Sequence, residues 1–352
     1  MEPTAKLTTT VHGNAAHLGS ANRPEMYRML LGLSTPEHPV HVFAIDYRGF
    51  GLSTGTPTED GVITDGVSLI NFLTAGPLRI SPSRIVIVGQ SLGTAVTAAV
   101  AERFAFGSSE SKAVQPAIKD PEPFAGVILL ASFSNMPSLI KSYSFKGITP
   151  PMLSSLVGYP RVQKWVVSHI VDYWDTAARV ARLTGVGPTA ANDSTSAHAG
   201  KGLNLAIVHA LDDVEIPWQE GRRVWSAAIG ESQADGPGSL LHKWEETDGP
   251  GQVKIWENRS KKNPGVAKRV RWERAGYGGM FACRSKTIRY SHYQWQDTTA
   301  SLHSLSRLWQ CCEHSKDEQP FPQPFVWEIY PSAAWLAIVA SHSTRPNYLT
   351  IS

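Results

Sequence analysis

Apolar residues in the first 280 positions alternate between short continuous runs and stretches with helical spacing. Four of the continuous runs predict buried strands: HVFAIDYRGFG (41–51), RIVIVGQS (84–91), GVILLAS (126–132) and LNLAIVHALDD (203–213). Helical spacing predicts helices over 61–76, 92–105 and 218–230, and a further strand is expected within 266–279. Continuous apolar strands separated by helices are typical of a parallel sheet that is covered on both faces. The pattern therefore predicts an α/β fold with a mostly parallel central sheet.

The stretch between the third and fourth of these strands, 133–202, is long for a connection within a sheet. It contains two amphipathic pieces, MPSLIKSYSF and YPRVQKWVVSHIVDYWDTAARVARL. A connection of this length is typical of a lid over a site or of an added subdomain. The chain is thus predicted to have a core in two parts, 1–132 and 203–279, with the insertion between them. From Met280 onward the alternation stops, and the tail, 280–352, carries no clear fold signal.

Composition and charge limit the classes of partner. Of the 352 residues 42% are hydrophobic, which is ample for one large α/β domain or two smaller ones. The formal net charge is only +3, from 33 basic and 30 acidic side chains, so no nucleic-acid partner is expected. The basic run at 259–274 is compatible with peripheral contact to anionic lipid headgroups. A solvated loop followed by an exposed strand end is the more ordinary interpretation of that run.

The cysteines and the chain termini bear on compartment and cofactors. Three cysteines lie in the last quarter of the chain: Cys283, Cys311 and Cys312. An odd number with an adjacent pair does not indicate a disulfide framework, and this favours an intracellular, reducing compartment. No zinc-type spacing is present, so neither a metal nor a cofactor is expected. The N-terminus lacks the apolar region of a signal peptide. The apolar segment 325–340 contains Glu328 and Pro331 and is shorter than the roughly 20 residues of a membrane span.

The strongest chemical signal is a G-x-S-x-G motif, Gly89-Gln90-Ser91-Leu92-Gly93. A β-branched strand precedes it and a helix of small residues follows, which is the context of a nucleophile elbow. Such a turn exposes the serine Oγ at the positive end of a helix. Gly89 and Gly93 leave room where the strand and the helix approach each other. The flanking segments disfavour the alternative, an ordinary glycine turn, and Ser91 is predicted to be a nucleophile.

Two backbone amides are the expected donors to a developing oxyanion. One belongs to Leu92, directly after the predicted nucleophile, and the other to Asn14, in the loop that follows His12-Gly13. Acyl transfer needs such donors aimed at the position where negative charge develops. His12 itself is not expected to be the catalytic base, because a histidine before the serine breaks the Ser–Asp–His order of elbow enzymes.

The expected acid follows the fourth predicted strand, in the segment HALDDVEIP (209–217). Carboxylates in this position emerge at the carboxyl end of a strand, where sites of α/β proteins lie. Asp213 is the candidate for orienting an imidazole, and Asp212 and Glu215 are interpreted as turn and capping residues. The alternative is that both aspartates only cap the helix that begins at Trp218.

Five segments are similar, in the same order, to a known family: VHGNAAHLG, FAIDYRGFGLSTG, IVIVGQSLGTA, ASFSNMPSLI and HALDDVEIP. They resemble the monoacylglycerol lipase/lysophospholipase branch of the α/β-hydrolases, and most closely its membrane-anchored, lysophosphatidylserine-lipase-like members. The resemblance covers residues 11–279. It implies an α/β-hydrolase fold with a lid after the third strand, and a small-molecule lipid or ester substrate. Asp46 and Arg48 belong to a fold signature of the family, so we expect them to be structural.

The same resemblance implies roles for four of the residues already named. The equivalent of Ser91 is the nucleophile of the family, and the equivalent of Asp213 is the triad acid. The backbone amides equivalent to Asn14 and Leu92 form the oxyanion hole.

The sequence departs from the family at both ends. Only eleven residues precede His12, so the sheet is expected to lack the first strands of the family, with KLTTTV as a polar substitute for an apolar central strand. The family places its catalytic histidine just after the last strand, whereas here Gly279 is followed by Met280. The histidines downstream of this point are His292, His303, His314 and His342. His292 is the nearest and is the candidate base, provided that the tail folds back to the nucleophile.

Two functions are therefore open from the sequence. The first is a serine hydrolase that cleaves acyl glycerols or lysophospholipids through an acyl-enzyme at Ser91. The second is an inactive homologue that lacks the triad histidine and at most binds lipid or a protein partner. The difference between them is large, because a serine hydroxyl without its base is a poor nucleophile at neutral pH.

Overall fold

The fold is described from a computed structural model of the chain. The structure describes residues 6–14, 17–20, 23–36, 39–76, 78–107, 118, 120–143, 158–186, 202–231, 239–242, 252–259, 266–275, 327–332 and 335–341.

Within these ranges the backbone forms strands and helices in alternation over most of the chain. The strands are β1 (Lys6–Val11), β2 (Val40–Ile45), β3 (Ile85–Gln90), β4 (Gly126–Leu130), β5 (Leu203–Ala210), β6 (Ser239–His242), β7 (Gln252–Arg259), β8 (Ala267–Ala275), β9 (Trp327–Ser332) and β10 (Trp335–Ser341). The helices are α1 (Arg23–Leu31), α2 (Glu59–Thr74), α3 (Leu92–Phe106), α4 (Met136–Ser142), α5 (Pro160–Ser168), α6 (Thr176–Thr184) and α7 (Trp218–Ile229). The apolar runs and helical spacings named above correspond to β2, β3, β4, β5, β8, α2, α3 and α7, and these predictions are confirmed.

All ten strands join one sheet in the order β6-β7-β8-β5-β4-β3-β1-β2-β10-β9. The six central strands, from β8 to β2, are parallel to one another, and the two strands at each edge pair in antiparallel fashion. The predicted mostly parallel sheet is therefore confirmed. Because the central strands are parallel, their carboxyl ends, which carry the predicted site residues, meet at one edge of the sheet.

Helices cover both faces of the sheet, as predicted. Successive residues of β3 point to opposite faces, so that Ile85 and Ile87 pack in one core cluster and Val86 and Val88 in the other. The first cluster contains buried residues of α2, α3, α6 and α7, and the second contains those of α1. Burial of each such side chain contributes about 1.5–3 kcal/mol, which explains why these strands read as continuous apolar runs.

The polar segment KLTTTV forms β1, at the centre of the sheet. It pairs in parallel with β2 on one side and with β3 on the other. Thr8 and Thr9 are buried there, and neither hydroxyl has a hydrogen-bond partner among the described residues. The segment thus takes the place of an apolar central strand, as expected, but it buries two unpaired hydroxyls at that position.

The sheet continues beyond β2 with strands from the tail. β10 pairs in antiparallel fashion with β2, with Ala337 opposite Ile45 and Ser341 opposite His41, and β9 pairs with β10. These two strands coincide with the apolar segment 325–340 and extend one residue past it. The sequence pattern excluded a membrane span there but did not predict strands. No helix among the described residues is both long enough and apolar enough to cross a membrane.

The insertion between β4 and β5 contains α4, α5 and α6. The last of these helices belongs to the core, because its Val180 and Leu183 are buried and it packs against α3 and α7. In contrast, α5 has no buried residue, and Trp165 on this helix is 63% exposed. The role of the insertion as a lid stays a prediction.

Candidate active site

The predicted nucleophile, Ser91, occupies a strained turn between β3 and α3. Its backbone has φ 52° and ψ −120°, a region that costs a residue with a side chain about 1–3 kcal/mol. Two backbone hydrogen bonds hold the turn: Ser91 N–H donates to Leu130 O at 3.0 Å, and Thr94 N–H donates to Ser91 O at 2.9 Å. The surrounding strands and helix therefore fix the conformation in which the side chain leaves the sheet.

Gly89 is required by the close approach of strand and helix at this turn. A Cβ on Gly89 would lie 2.3 Å from Gly93 O and 2.5 Å from Thr97 Oγ1. No side chain fits at these distances, which is the reason expected from the motif. Gly93 is itself buried in the first turn of α3.

The loop of His12, Gly13 and Asn14 lies against the predicted nucleophile. A Cβ on Gly13 would be 3.2 Å from Ser91 Cβ and 3.8 Å from Ser91 Oγ. On the other side of the serine, Leu92 is the first residue of α3, so its N–H has no partner within the helix. The structure thus brings Gly13, Leu92 and Ser91 together, and the oxyanion role of the Leu92 and Asn14 amides stays a prediction.

His12 packs inside this loop. Its Nδ1 lies 2.7 Å from Gly13 O, and its Nε2 lies 3.4 Å from Asp46 Oδ1. The ring packs against Tyr47 and Phe50, at 4.5 Å and 5.6 Å between ring centroids. Both nitrogens thus face neighbours within the protein.

Arg23 is a contributor to this loop that the sequence did not indicate. It is buried at the start of α1, where it donates from Nη2 to Gly13 O at 3.2 Å and from Nη1 to His17 O at 2.6 Å. Burial lowers the pKa of Arg23, and the charge of Asp46 acts in the opposite direction. A cation in the first turn of a helix is unfavourable with respect to the helix dipole. An arginine at the start of a helix is therefore the sequence signal that could have indicated a specific hydrogen-bond acceptor near Arg23.

The residues of the DYRGFG segment hold neighbouring loops in place. Asp46 Oδ1 accepts a hydrogen bond from Leu18 N–H at 2.8 Å, and Gly51 must lack a side chain because a Cβ there would lie 2.2 Å from Asp46 Oδ2. Arg48 donates to Asp65 from Nη2 at 2.7 Å and from Nε at 3.0 Å. These contacts give both Asp46 and Arg48 the structural role that was expected of them.

The predicted acid, Asp213, lies in the turn that follows β5. Its side chain is buried, and Oδ1 accepts hydrogen bonds from the N–H groups of Glu215 and Ile216, each at 3.0 Å. Oδ2 has no hydrogen-bond partner in the part of the chain that the structure describes. Burial raises the pKa of nearby Tyr143, and the charges of Glu215 and Asp213 add to this effect. One carboxylate oxygen therefore fixes the turn, and the other is left as an acceptor.

The spacing of the strands separates the predicted acid from the predicted nucleophile. β4 lies between β3 and β5 in the sheet, so the strand ends that carry Ser91 and Asp213 are two strand spacings apart, or about 10 Å. An imidazole between two hydrogen bonds spans a distance of this order. The arrangement leaves room for a base between the two residues.

The four histidines predicted as possible bases, His292, His303, His314 and His342, lie outside the described residues. Within the described ranges, no hydrogen bond joins an imidazole to Ser91 Oγ. The same part of the chain contains no group of three or more His, Cys, Asp or Glu side chains that could hold a metal ion.

Comparison with known proteins supplies an independent line of evidence. The model of the alpha/beta hydrolase family matches residues 10–276. The lysophosphatidylserine lipase ABHD12 of Macaca fascicularis is 29% identical over 218 residues, which is 62% of this chain and 44% of that protein. The uncharacterized protein YfhR of Salmonella typhi is 42% identical over 219 residues, which is 62% of this chain and 58% of that protein. An alpha-beta hydrolase structure from Vibrio vulnificus has 18% identity and a TM-score of 0.43, covering 64% of this chain and 63% of that chain.

The chain spans about half the length of the curated relatives it matches. The match to the family model extends over far more than half of the 352 residues and includes both the elbow serine and Asp213. The chain belongs to the alpha/beta hydrolase family.

Proposed function

We propose that this chain is a serine hydrolase that cleaves carboxylic esters through an acyl-enzyme at Ser91. The observation that carries the proposal is the elbow itself. A serine is held at φ 52° between a buried strand and a helix N-terminus, with a glycine loop directly against its side chain. Strain of this kind persists only where the surrounding structure maintains it, and such strained residues cluster at active sites.

The proposed reaction begins with attack of Ser91 Oγ on the ester carbonyl. The carbonyl oxygen becomes an oxyanion that accepts hydrogen bonds from the N–H groups of Leu92 and Asn14. One such donor typically lowers the barrier by about 2.7–4 kcal/mol. The serine proton passes to an imidazole, for which His292 is the candidate, and then to the departing alcohol. Water, activated by the same imidazole, releases the acyl group from Ser91.

Asp213 completes this scheme through its second carboxylate oxygen. Oδ2 is buried and unpaired among the described residues, and an acceptor in that condition suits the N–H of an imidazole. The hydrogen bond would fix the tautomer of the base and stabilise the imidazolium that forms during attack. The proposal thus gives the buried unpaired oxygen of Asp213 a partner.

We propose a lipid-like ester, an acyl glycerol or a lysophospholipid, as the substrate. The names of the matched mammalian relatives support this class, since they are lysophosphatidylserine lipases. The insertion supports it as well, because Tyr159 and Trp165 at α5 are 65% and 63% exposed and Val171 is 93% exposed. Aromatic and aliphatic side chains beside the cations Arg161 and Lys164 suit contact with a lipid surface.

A second candidate function is that of an inactive homologue that binds lipid or a partner. It is favoured by the sequence Gly278-Gly279-Met280, in which methionine stands where the family has its histidine. Loss of the base alone would reduce kcat on the order of 10⁶-fold.

Labelling with a fluorophosphonate probe separates the two functions. We expect the folded chain to be labelled, Ser91→Ala to abolish labelling, and Ser168→Ala to leave it unchanged, because the Ser168 hydroxyl bonds to Trp165 O within α5 and contacts the ring of the adjacent His169. Separate His292→Ala, His303→Ala, His314→Ala and His342→Ala variants then identify the base as the one whose loss abolishes labelling and ester turnover. Absence of labelling in the folded chain would refute the proposed hydrolase and leave the inactive homologue.

A further inference from the structure

A histidine that takes no part in the proposed reaction is fully buried beside the predicted acid. His209, near the end of β5, has no exposed surface. Its Nε2 lies 2.8 Å from Ile216 O and 3.6 Å from Asp213 Oδ2. Burial of a titratable ring is costly unless its polar atoms are used, so these two contacts suggest that the ring has a specific purpose.

The surroundings of His209 select one tautomer. Nδ1 is buried and has no hydrogen-bond partner within the described ranges, and it faces α7 so closely that a Cβ on Gly221 would lie 2.5 Å from it. A proton on Nδ1 would therefore be a buried donor with no acceptor, which is strongly unfavourable. A proton on Nε2, in contrast, is donated to Ile216 O. The neutral ring with its proton on Nε2 is the form that satisfies the contacts.

Burial and the charged groups around the ring shift the pKa of His209 in opposite directions. Burial is the largest influence and lowers the pKa of His209, whereas the charges of Asp213 and of Glu220 on α7 raise it. Arg274, the neighbour of His209 in the register with β8, lies with its guanidinium over the Trp218 ring. The net direction, a lowered pKa, keeps the ring neutral at physiological pH.

The contacts of His209 form a short chain of two hydrogen bonds that leads to the predicted acid. Ile216 donates its N–H to Asp213 Oδ1 and accepts at its carbonyl from His209 Nε2. The imidazole thus fixes the residue that in turn fixes one oxygen of the carboxylate. Because the ring is neutral, it does not take Oδ2 in an ion pair, and that oxygen is left for the catalytic base.

We propose that His209 is a positioning residue for Asp213, acting through the Ile216 carbonyl to hold the carboxylate in the orientation that the base requires. The inference rests on the proposed function, since it assigns His209 to the acid of that triad. Its chemical requirement is a neutral donor at the position of Nε2, and no proton at the position of Nδ1.

Two matched substitutions test the position of the donor. His209→Gln places an amide N–H near the position of Nε2, whereas His209→Asn places its amide near Nδ1 and leaves the Ile216 carbonyl without its donor. In labelling of Ser91, we expect His209→Asn to be slower by about 10- to 100-fold, the effect of a small misplacement of a catalytic group. We expect His209→Gln to restore most of the rate. Equal rates for both variants, whether normal or reduced, would overturn the proposal.

Two further measurements are independent of activity and keep a failure of this inference distinguishable from a failure of the proposed function. In long-range ¹H–¹⁵N spectra, we expect the His209 signals, assigned by their loss in His209→Gln, to show a proton on Nε2 at neutral pH and a pKa below the ordinary histidine value of 6.5. Unfolding of His209→Asn, Asp213→Asn and the double variant should be non-additive, because the two side chains act on the same turn. A proton on Nδ1, a pKa of His209 that is not lowered, or additive effects would refute the positioning role even if Ser91 is labelled normally. If the chain is not labelled at all, the proposed function fails and these two measurements still decide the inference.

Discussion

Replacement of Ser91 by glycine or by alanine should separate the strain of the elbow from the chemistry of its hydroxyl. Both variants lose the nucleophile, but only glycine adopts φ 52° without penalty. Alanine keeps the cost of about 1–3 kcal/mol for this backbone region. Glycine also gains about 0.5–1 kcal/mol of entropy in the unfolded chain, which offsets part of the relief. We therefore expect Ser91→Gly to be more stable than Ser91→Ala by about 1 kcal/mol.

Thermal and urea unfolding of the two variants measure this difference. A gain of about 1 kcal/mol corresponds to a rise in Tm of about 2–4 °C for a domain of this size or slightly smaller. Ser68 on α2 supplies the control pair, because its hydroxyl donates to the Thr64 carbonyl one turn earlier in the same helix. In that ordinary helical position glycine should be less stable than alanine by about 1 kcal/mol. If Ser91→Gly is no more stable than Ser91→Ala, the elbow is not strained and the main support for the proposed function is lost.

Three further predictions concern the strand beside the elbow, the glycine loop and a buried lysine. Thr9→Val should raise the free energy of unfolding by about 1 kcal/mol in urea denaturation, because it removes a buried hydroxyl without a partner; a loss of stability would mean that the hydroxyl is satisfied. Gly13→Ala should slow the labelling of Ser91 by about 10- to 100-fold with little change in Tm, since its Cβ would come within 3.2 Å of Ser91 Cβ. Burial lowers the pKa of Lys268 from 10.5 to about 8. Between these two pH values the unfolded chain binds more protons than the folded chain, so the free energy of unfolding should rise as the pH increases through this window. Lys268→Met should flatten that rise, and parallel pH profiles of the two proteins would contradict the assignment.

The central strands could be predicted from the sequence because their environment is the same on both faces. β3 is buried on both sides, so Ile85 to Val88 form a continuous apolar run that has no solvated alternative. The elbow was equally predictable, since strand, glycine turn and helix are adjacent in the chain. The positions of Ser91 and Asp213 at the same edge of the sheet, on either side of β4, follow from parallel pairing of these strands.

Features that depend on distant contacts were missed. α1 is an amphipathic helix with Arg23 at its first position, and only the fold brings the Gly13 carbonyl to that guanidinium. β9 and β10 were missed because an apolar run at the edge of a sheet has the same pattern as one in a helix. His209 is the first residue of the acid segment, 209–217, but its role depends on the Ile216 carbonyl and on the close approach of Gly221. Spacing along the chain reveals neither contact.

The backbone across the carboxyl edge of the sheet determines how sharply activity depends on the base. Ser91 N–H bonds to Leu130 O, and Ala131 N–H bonds to Val208 O, so the ends of β3, β4 and β5 are linked in series. Nucleophile and acid are therefore held on one rigid frame, and their separation cannot adjust to a misplaced imidazole. A base in the right position would complete the triad with little reorganisation, whereas its absence would cost on the order of 10⁶ in kcat. The two candidate functions therefore differ by orders of magnitude in the reactivity of Ser91, and this is why labelling of Ser91 discriminates between them.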